Sequence, residues 1–164
     1  MMLNIAAGTK FESGISLFEI LITILVVSVG LLGLAGLQFT GLRAANNAQQ
    51  HTLATLLAQD IEARIRANIA AAKGPTYAYN SVNLDSTSSP GAVDCVTTAC
   101  TAIQMADNDL YQWYRLIVPQ AGEKPLLPNA SIIVSSDNGT DFQTIIQWGD
   151  PSGPQTLYAR FTDK

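Results

Sequence analysis

The sequence predicts an α+β protein in which a long N-terminal helix packs on a C-terminal antiparallel β-sheet. Three observations predict this fold. An uncharged apolar run extends from Ile20 to Leu42, apolar residues continue at helical spacing beyond it without a proline, and alternating apolar and polar segments follow near the C-terminus. The 164 residues suffice for one small domain plus an additional element.

Composition excludes several classes of function. The chain carries a net charge of −4 and only 13% charged residues, which argues against nucleic acid as the main partner because phosphate binding requires clustered Lys and Arg. It has two cysteines and one histidine, so the sequence offers no set of zinc ligands. We expect neither a metal nor a cofactor.

The apolar run is long enough to cross a membrane as a helix. Its 23 residues match a hydrocarbon core about 30 Å thick. Residues 20–37 include twelve Leu, Ile or Val, which together favour insertion by roughly 5 kcal/mol, whereas Glu19 costs about 3 kcal/mol at the bilayer centre and less at its edge. The net free energy therefore favours insertion. Glu19 lies at the N-terminal edge of the span.

A cleaved secretory signal peptide is the alternative for this segment. Such peptides have an apolar core of about 7–15 residues closed by small residues at the cleavage site. Here the run is longer, and Gln38, Phe39 and Thr40 follow without such a site. The pattern favours a retained helix.

Residues 43–73 predict an amphipathic continuation of this helix. Lys73, Gly74 and Pro75 form a typical helix end, so one helix is expected from about Ile15 to Ala72. The apolar face comprises Leu53, Leu57, Ile61 and Ile65, supported by Leu56 and Ile69, and the polar positions comprise Asp60, Glu62, Arg64 and Arg66. His51 lies towards the polar side, which indicates a solvated residue rather than a catalyst.

The middle of the chain predicts a short strand, a loop and a second helix. Residues 77–79 (YAY) fit a strand, and the Ser-, Asn- and Thr-rich segment 80–90 fits a loop. Thr101 and Gln104 fit a capping box at the start of a helix that ends before Pro119. Its apolar face is expected to comprise Ile103, Ala106, Leu110, Trp113 and Ile117, with Tyr114 beside it. Asp107 and Asp109 lie early in this helix, where carboxylates interact favourably with the positive end of the helix dipole. This interpretation is preferred to acid–base chemistry.

Three strands complete the predicted head. The segments 130–136 (ASIIVSS), 141–148 (DFQTIIQW) and 156–161 (TLYARF) alternate as half-buried strands do. Asn138 and Gly139 predict a hairpin between the first two strands. The result is an antiparallel meander whose apolar face covers the amphipathic half of the long helix.

The start of the chain resembles the prepilin signal of type IV pilins and type II secretion pseudopilins. Gly14 precedes Ile15, and the residues Ser16, Leu17, Phe18 and Glu19 follow. By this resemblance residues 1–14 are a leader that prepilin peptidase removes between Gly14 and Ile15, and Ile15 is then N-methylated. Residues 15–42 stay as a transmembrane and polymerisation helix, 43–73 form the amphipathic helix of the head, and 74–164 form the globular head. The family usually has Phe at the first mature position, where this chain has Ile15.

The resemblance also implies a role for Glu19. This residue becomes the fifth of the mature chain, one helical turn from the new α-amine of Ile15. In the family the carboxylate is thought to pair with the amine of a neighbouring subunit, which sets axial register in the filament. The alternative is that Glu19 only sits among lipid headgroups.

Further segments narrow the resemblance to minor pilins of the PilV type. These are residues 30–38 (GLLGLAGLQ), the short loop between Cys95 and Cys100, residues 109–113 (DLYQW) and the strand that ends at Trp148. The implied protein is a low-abundance pilin that helps initiate assembly at the inner membrane and enters the fibre near its tip. It would span the inner membrane once with a periplasmic head. Its partners would be lipid, prepilin peptidase, the assembly platform, other minor pilins and the major pilin.

An exported head makes a structural disulfide between Cys95 and Cys100 the expectation, with free thiols as the alternative. Glycines recur in the apolar helix at Gly30, Gly33, Gly36 and Gly41. They fit either packing notches between helices or positions where the helix is weak.

Two other classes of function remain open in the sequence. A minor pseudopilin of a type II secretion machine shares the same front end and differs in its partners. An adhesin head is a second alternative, in which the aromatic residues Tyr77, Tyr79 and Tyr111 would be exposed and bind sugar. The favoured interpretation is that these residues pack in the head. The sequence offers no nucleophile–base pair, phosphate loop or metal set, so an enzyme is not expected.

Overall fold

The fold is α+β, as predicted, with a long N-terminal helix followed by a four-stranded antiparallel sheet. The computed structural model describes residues 16–76, 78–88, 90–151 and 153–163. The predicted leader, Gly14, Ile15 and Tyr77 lie outside the described residues. Within them, the chain divides into two units after Ala44.

The first helix, α1, extends from Leu17 to Ala67. It passes through all four glycines of the apolar run, and an added Cβ at any of them would meet nothing within 4 Å. In the second unit its buried residues are Ala54, Leu57, Ala58, Ile61 and Ile65. The predicted apolar face is therefore confirmed except at Leu56, which is 56% exposed.

The predicted single helix to Ala72 is wrong in one respect, because α1 ends at Ala67 and a short helix α2 covers Ile69–Ala72. Asn68 separates them with φ −118° and ψ 46°. Its side-chain amide donates hydrogen bonds to the Tyr79 hydroxyl (3.1 Å) and to the carbonyl of Ala102 (2.7 Å). Asn is a weak helix former whose side chain competes for such partners, and here the tertiary contacts fix the break.

The first strand lies later than the sequence indicated. Residues 78–80 form a turn, and β1 covers Val82–Leu84 inside the segment predicted as a loop. Val82 and Leu84 are buried, and β1 pairs with the strand β2. Three residues are too few for an alternation signal, so the pairing with β2 decides this strand.

The second long helix, α3, covers Ala102–Ile117, and its predicted capping box is present. The Thr101 hydroxyl accepts from the backbone N–H of Gln104, whose side chain accepts from the backbone N–H of Thr101. The buried face comprises Ala106, Asp109, Trp113 and Ile117. Ile103 was expected on this face but is 48% exposed.

The three C-terminal strands match the prediction closely: β2 covers Ser131–Ser136, β3 covers Asp141–Trp148 and β4 covers Gln155–Thr162. The sheet order is β1-β2-β3-β4, and all neighbours are antiparallel. Gly139 has φ +71° in the β2–β3 turn, a conformation that glycine adopts without steric penalty. The inner face of the sheet meets α1 and α3 in a core centred on Ile61, Tyr79, Trp113, Ile132, Ile146 and Trp148.

Candidate assembly site

The apolar segment of α1 from Leu17 to Leu42 presents its side chains on all sides. Its large apolar residues are 45–86% exposed, from Ile20 and Ile22 to Leu17. By length and composition this is a helix that can cross a membrane. A helix that is apolar all around must be covered by lipid or by other helices, so this segment is the first candidate assembly surface.

Polar hydroxyl groups within this segment are satisfied by the helix itself. The hydroxyls of Thr23, Ser28 and Thr40 each donate to the carbonyl four residues earlier, at 2.5, 2.7 and 3.0 Å. Such bonds let hydroxyl groups reside in an apolar environment without an external partner. Glu19 is the one ionisable residue between Leu17 and Leu42.

Glu19 lies in the first turn of α1, where the helix dipole favours a negative charge. Its carboxylate makes no hydrogen bond or ion pair with any residue that the structure describes. An ionised carboxylate within lipid is costly unless a cation pairs with it, and a cation from another chain could supply that partner. The proposed pairing with the Ile15 amine lies outside the described residues.

At the other end of the apolar run, Arg43 lies over the ring of Phe39, with 4.2 Å between its guanidinium carbon and the ring centroid. An aromatic ring and a cation at this position are typical of the level where a membrane helix meets water. The contact therefore marks a natural boundary for the part of α1 that could span a membrane.

The head contains a polar cluster that the sequence did not reveal. Arg64 of α1 donates from Nη1 to Asp109 of α3 (3.0 Å) and to Gln112 (2.9 Å). Its Nε donates to Asp60 (2.8 Å), and the Trp113 indole N–H donates to the same carboxylate (3.1 Å). These bonds tie α3 to α1 within the head.

Asp109 is the most buried member of this cluster, with 5% of its surface exposed. Its second oxygen accepts from the Tyr79 hydroxyl at 2.7 Å. Burial, and then the bond to Asp109, raise the pKa of Tyr79 above its ordinary value. Burial lowers the pKa of Arg64, but its bonds to Asp109 and Asp60 outweigh this effect, so its pKa is raised on balance.

Two residues of the cluster, Asp109 and Tyr79, were also singled out in the sequence, and the structure shows what each of them contacts. Asp109 was expected to serve the helix dipole, but it is a buried partner of Arg64 and Tyr79, whereas Asp107 is exposed. Tyr79 is fully buried, which agrees with the expected packing role and contradicts the adhesin alternative, and Tyr111 is half-buried. No signal in the sequence pairs Arg64 with Asp109, because 45 positions separate them.

The other predicted head residues occupy structural positions. Cys95 and Cys100 form the expected disulfide. His51 is exposed and meets Trp148 edge-on, with 5.0 Å between the ring centroids. The Trp148 indole N–H donates to Gln50 at 3.1 Å. Among the residues that the structure describes, no group of three or more His, Cys, Asp or Glu is placed to hold a metal ion.

A long apolar helix followed by an antiparallel α+β head is a pilin-like architecture. Residues 36–111 match the family model described as type IV pilin Tt1218 (Tt1218-like). No curated protein and no solved structure matches the chain. The match covers 76 of the 164 residues, fewer than half, and supports the role of a type IV pilin.

The matched residues come from both units of the chain. They begin within the apolar segment at Gly36 and extend through the disulfide to Tyr111 in α3. The match thus includes the second half of α1 and most of the polar cluster. It does not include Glu19, because it begins at Gly36.

Proposed function

We propose that this chain is a minor type IV pilin of the PilV type, which helps initiate pilus assembly at the inner membrane and enters the fibre near its tip. The single observation that carries the proposal is the exposed apolar half of α1, which begins with a carboxylate that has no partner among the described residues. The partial family match agrees with it. The chain would be anchored with its head in the periplasm and then move to the pilus.

Processing is the first step of the proposed function. Prepilin peptidase would cut between Gly14 and Ile15, and the new α-amine of Ile15 would be methylated. The apolar helix then remains on the mature chain, and Glu19 follows the amine by one helical turn. Mass spectrometry of protein from fibres should find Ile15 at the N-terminus, and an intact Met1 in fibres would contradict this step.

Glu19 would then set the axial position of the subunit. An ion pair in an apolar environment contributes more to the choice of register than to net stability, because desolvation opposes the attraction. The apolar helix supplies the partitioning energy without Glu19. Loss of the carboxylate should therefore leave insertion intact and impair assembly.

The experiment compares Glu19→Ala with Ser28→Ala in the full chain. Ser28 is the matched control, because it is also polar and in the same helix but its hydroxyl bonds to its own backbone. Membrane fractionation should recover both variants with the membrane, and the amount of Glu19→Ala in sheared fibres should fall severalfold. Normal incorporation of Glu19→Ala would show that the register role is wrong.

Copurification distinguishes a type IV pilus from a type II secretion system as the assembly that contains this chain. The proposal expects the detergent-solubilised chain to copurify with pilus minor subunits and the major pilin. Recovery with pseudopilins of a type II secretion system instead would assign the chain to that machine and overturn the pilus role.

A further inference from the structure

The outer edge of β4 is the longest exposed strand edge in the described part of the head. All eight residues of Gln155–Thr162 pair with β3 on one side, and no described strand pairs with the other side. The opposite edge of the sheet is β1, which has three residues. Unpaired strand edges bind other strands unless something blocks them.

The direction of the backbone groups in β4 follows from two hydrogen bonds. The N–H of Asp163 donates to the carbonyl of Thr140 across the ladder at 2.8 Å. Because residues alternate along an antiparallel strand, odd-numbered residues of β4 direct their N–H and C=O towards β3. Even-numbered residues direct theirs to the open side, and the carbonyl of Thr162 accordingly accepts from Arg66 at 3.3 Å.

Three residues therefore present backbone groups that the head leaves available: Thr156, Tyr158 and Arg160. No hydrogen bond from another described element reaches these N–H and C=O groups. An incoming antiparallel strand would pair with three consecutive outward-facing positions, which is the pattern of strand addition to a sheet edge.

The usual devices that block an edge are missing from β4. Its sequence QTLYARFT contains no proline and no lysine, and none of its residues has positive φ. The one charge belongs to Arg160, whose guanidinium donates to Gln143 on the adjacent strand at 3.3 Å. This bond directs the guanidinium towards β3 and away from the open edge, so the charge does not block an added strand.

On the outer face of the sheet, a row of apolar side chains crosses the strands and ends at this edge. Ile133 of β2 lies opposite Ile145 of β3, which lies opposite Tyr158 of β4. The two isoleucines are half-buried, whereas Tyr158 at the end of the row is 65% exposed. A residue placed opposite Tyr158 on an added strand would extend the row and cover the ring.

We propose that β4 is the docking edge for a strand from the head of a neighbouring pilin-type subunit, added antiparallel to it. The inference rests on the proposed function, in which the subunits are anchored with their heads on the same side of the membrane, so that neighbouring heads share one orientation. In a four-stranded antiparallel meander the first and last strands run in opposite directions. A co-oriented neighbour of the same fold therefore brings its first edge antiparallel to β4.

The residues at the edge of β4 also define which side chains the added strand should carry. It carries an apolar or aromatic side chain opposite Tyr158 and no cation opposite Arg160, because like charges directly across a ladder repel. The short β1 of this chain is a poor donor, so the strand comes from another subunit rather than from a second copy. In the described part of the head, β4 is thus the sheet edge that is long enough for extension.

The experiment compares Tyr158→Pro with Tyr158→Thr in the full chain, in cells that assemble fibres. Both variants lose the ring, but only proline removes the outward N–H, and the ladder to β3 keeps its bonds. We expect Tyr158→Pro to lower the amount of the chain in fibres at least tenfold relative to Tyr158→Thr. Thermal unfolding of both purified variants checks that the head is folded.

If the proline variant does not fold, a charge pair of variants replaces it. Tyr158→Lys places a cation at the open edge, and Gln147→Lys places the same cation on the exposed face of β3, one strand inwards. Only the edge variant should lose incorporation. Equal incorporation within either pair, with normal incorporation of the unaltered chain, overturns the docking edge and leaves the proposed function intact.

A photoreactive amino acid at position 158 identifies the occupant. The expected crosslink joins it to a strand in the head of another pilin subunit. A crosslink to a second copy of this chain, or to a helix of any subunit, overturns the assignment. Absence of the unaltered chain from fibres overturns the proposed function, and the docking edge with it.

Discussion

The replacement Asp109→Ala tests whether the polar cluster holds α3 on α1. Asp109 is 5% exposed and accepts from Arg64 at 3.0 Å and from Tyr79 at 2.7 Å. Removal of one partner from a fully buried ion pair costs about 3–5 kcal/mol. Arg64 has 32% of its side chain exposed and keeps Asp60 and Gln112, so the ion-pair part falls to about 1–2 kcal/mol.

The Tyr79 hydroxyl adds to this loss, because it is left without its acceptor in a buried position. An unsatisfied buried hydroxyl costs about 1–2 kcal/mol. The unfolding free energy of the head should therefore fall by about 2–4 kcal/mol. For a head of this size the melting temperature should fall by roughly 10 °C or more.

The assay is urea unfolding of the full chain in detergent, followed by tryptophan fluorescence. Both tryptophans of the sequence, Trp113 and Trp148, are buried in the head, so the signal reports this unit alone. Asp107→Ala is the matched control, since it removes the same side chain from an exposed position of the same helix. The reasoning is refuted if both variants unfold within about 0.5 kcal/mol of each other.

Three further predictions concern the head. Cys95→Ser should lower its unfolding free energy by about 2 kcal/mol, the chain-entropy value for so short a loop, and leave membrane insertion unchanged; an unchanged urea midpoint under oxidising conditions would contradict this. Gln50→Ala should cost about 1–2 kcal/mol, because the buried indole N–H of Trp148 loses its acceptor, and the same urea series measures it. The pKa of Tyr79 is raised on folding, so its contribution to stability is complete below the unfolded value of about 10 and is lost as pH rises from there through the folded value. Melting temperatures between pH 9 and pH 11 should therefore fall less in Tyr79→Phe than in the unaltered chain, and identical slopes would argue against the shift.

The sequence determined the elements whose signals are local. A long apolar run defined the first part of α1, the Thr101 capping box defined the start of α3, and strict alternation defined β2, β3 and β4. Each of these signals lies within a few neighbouring residues, where spacing and propensity act directly. The Glu19 and Ile15 roles also come from a local motif and stay predictions.

The tertiary structure decided what depends on residues far apart in the chain. Asn68 breaks the helix because Tyr79 and Ala102 reach it, and β1 forms because β2 offers it a partner. Asp109 is a buried ion-pair partner only because the fold brings Arg64 to it. Burial and long-range pairing are properties of the folded chain. Local patterns could therefore neither place this cluster nor show that no described strand pairs with the outer edge of β4.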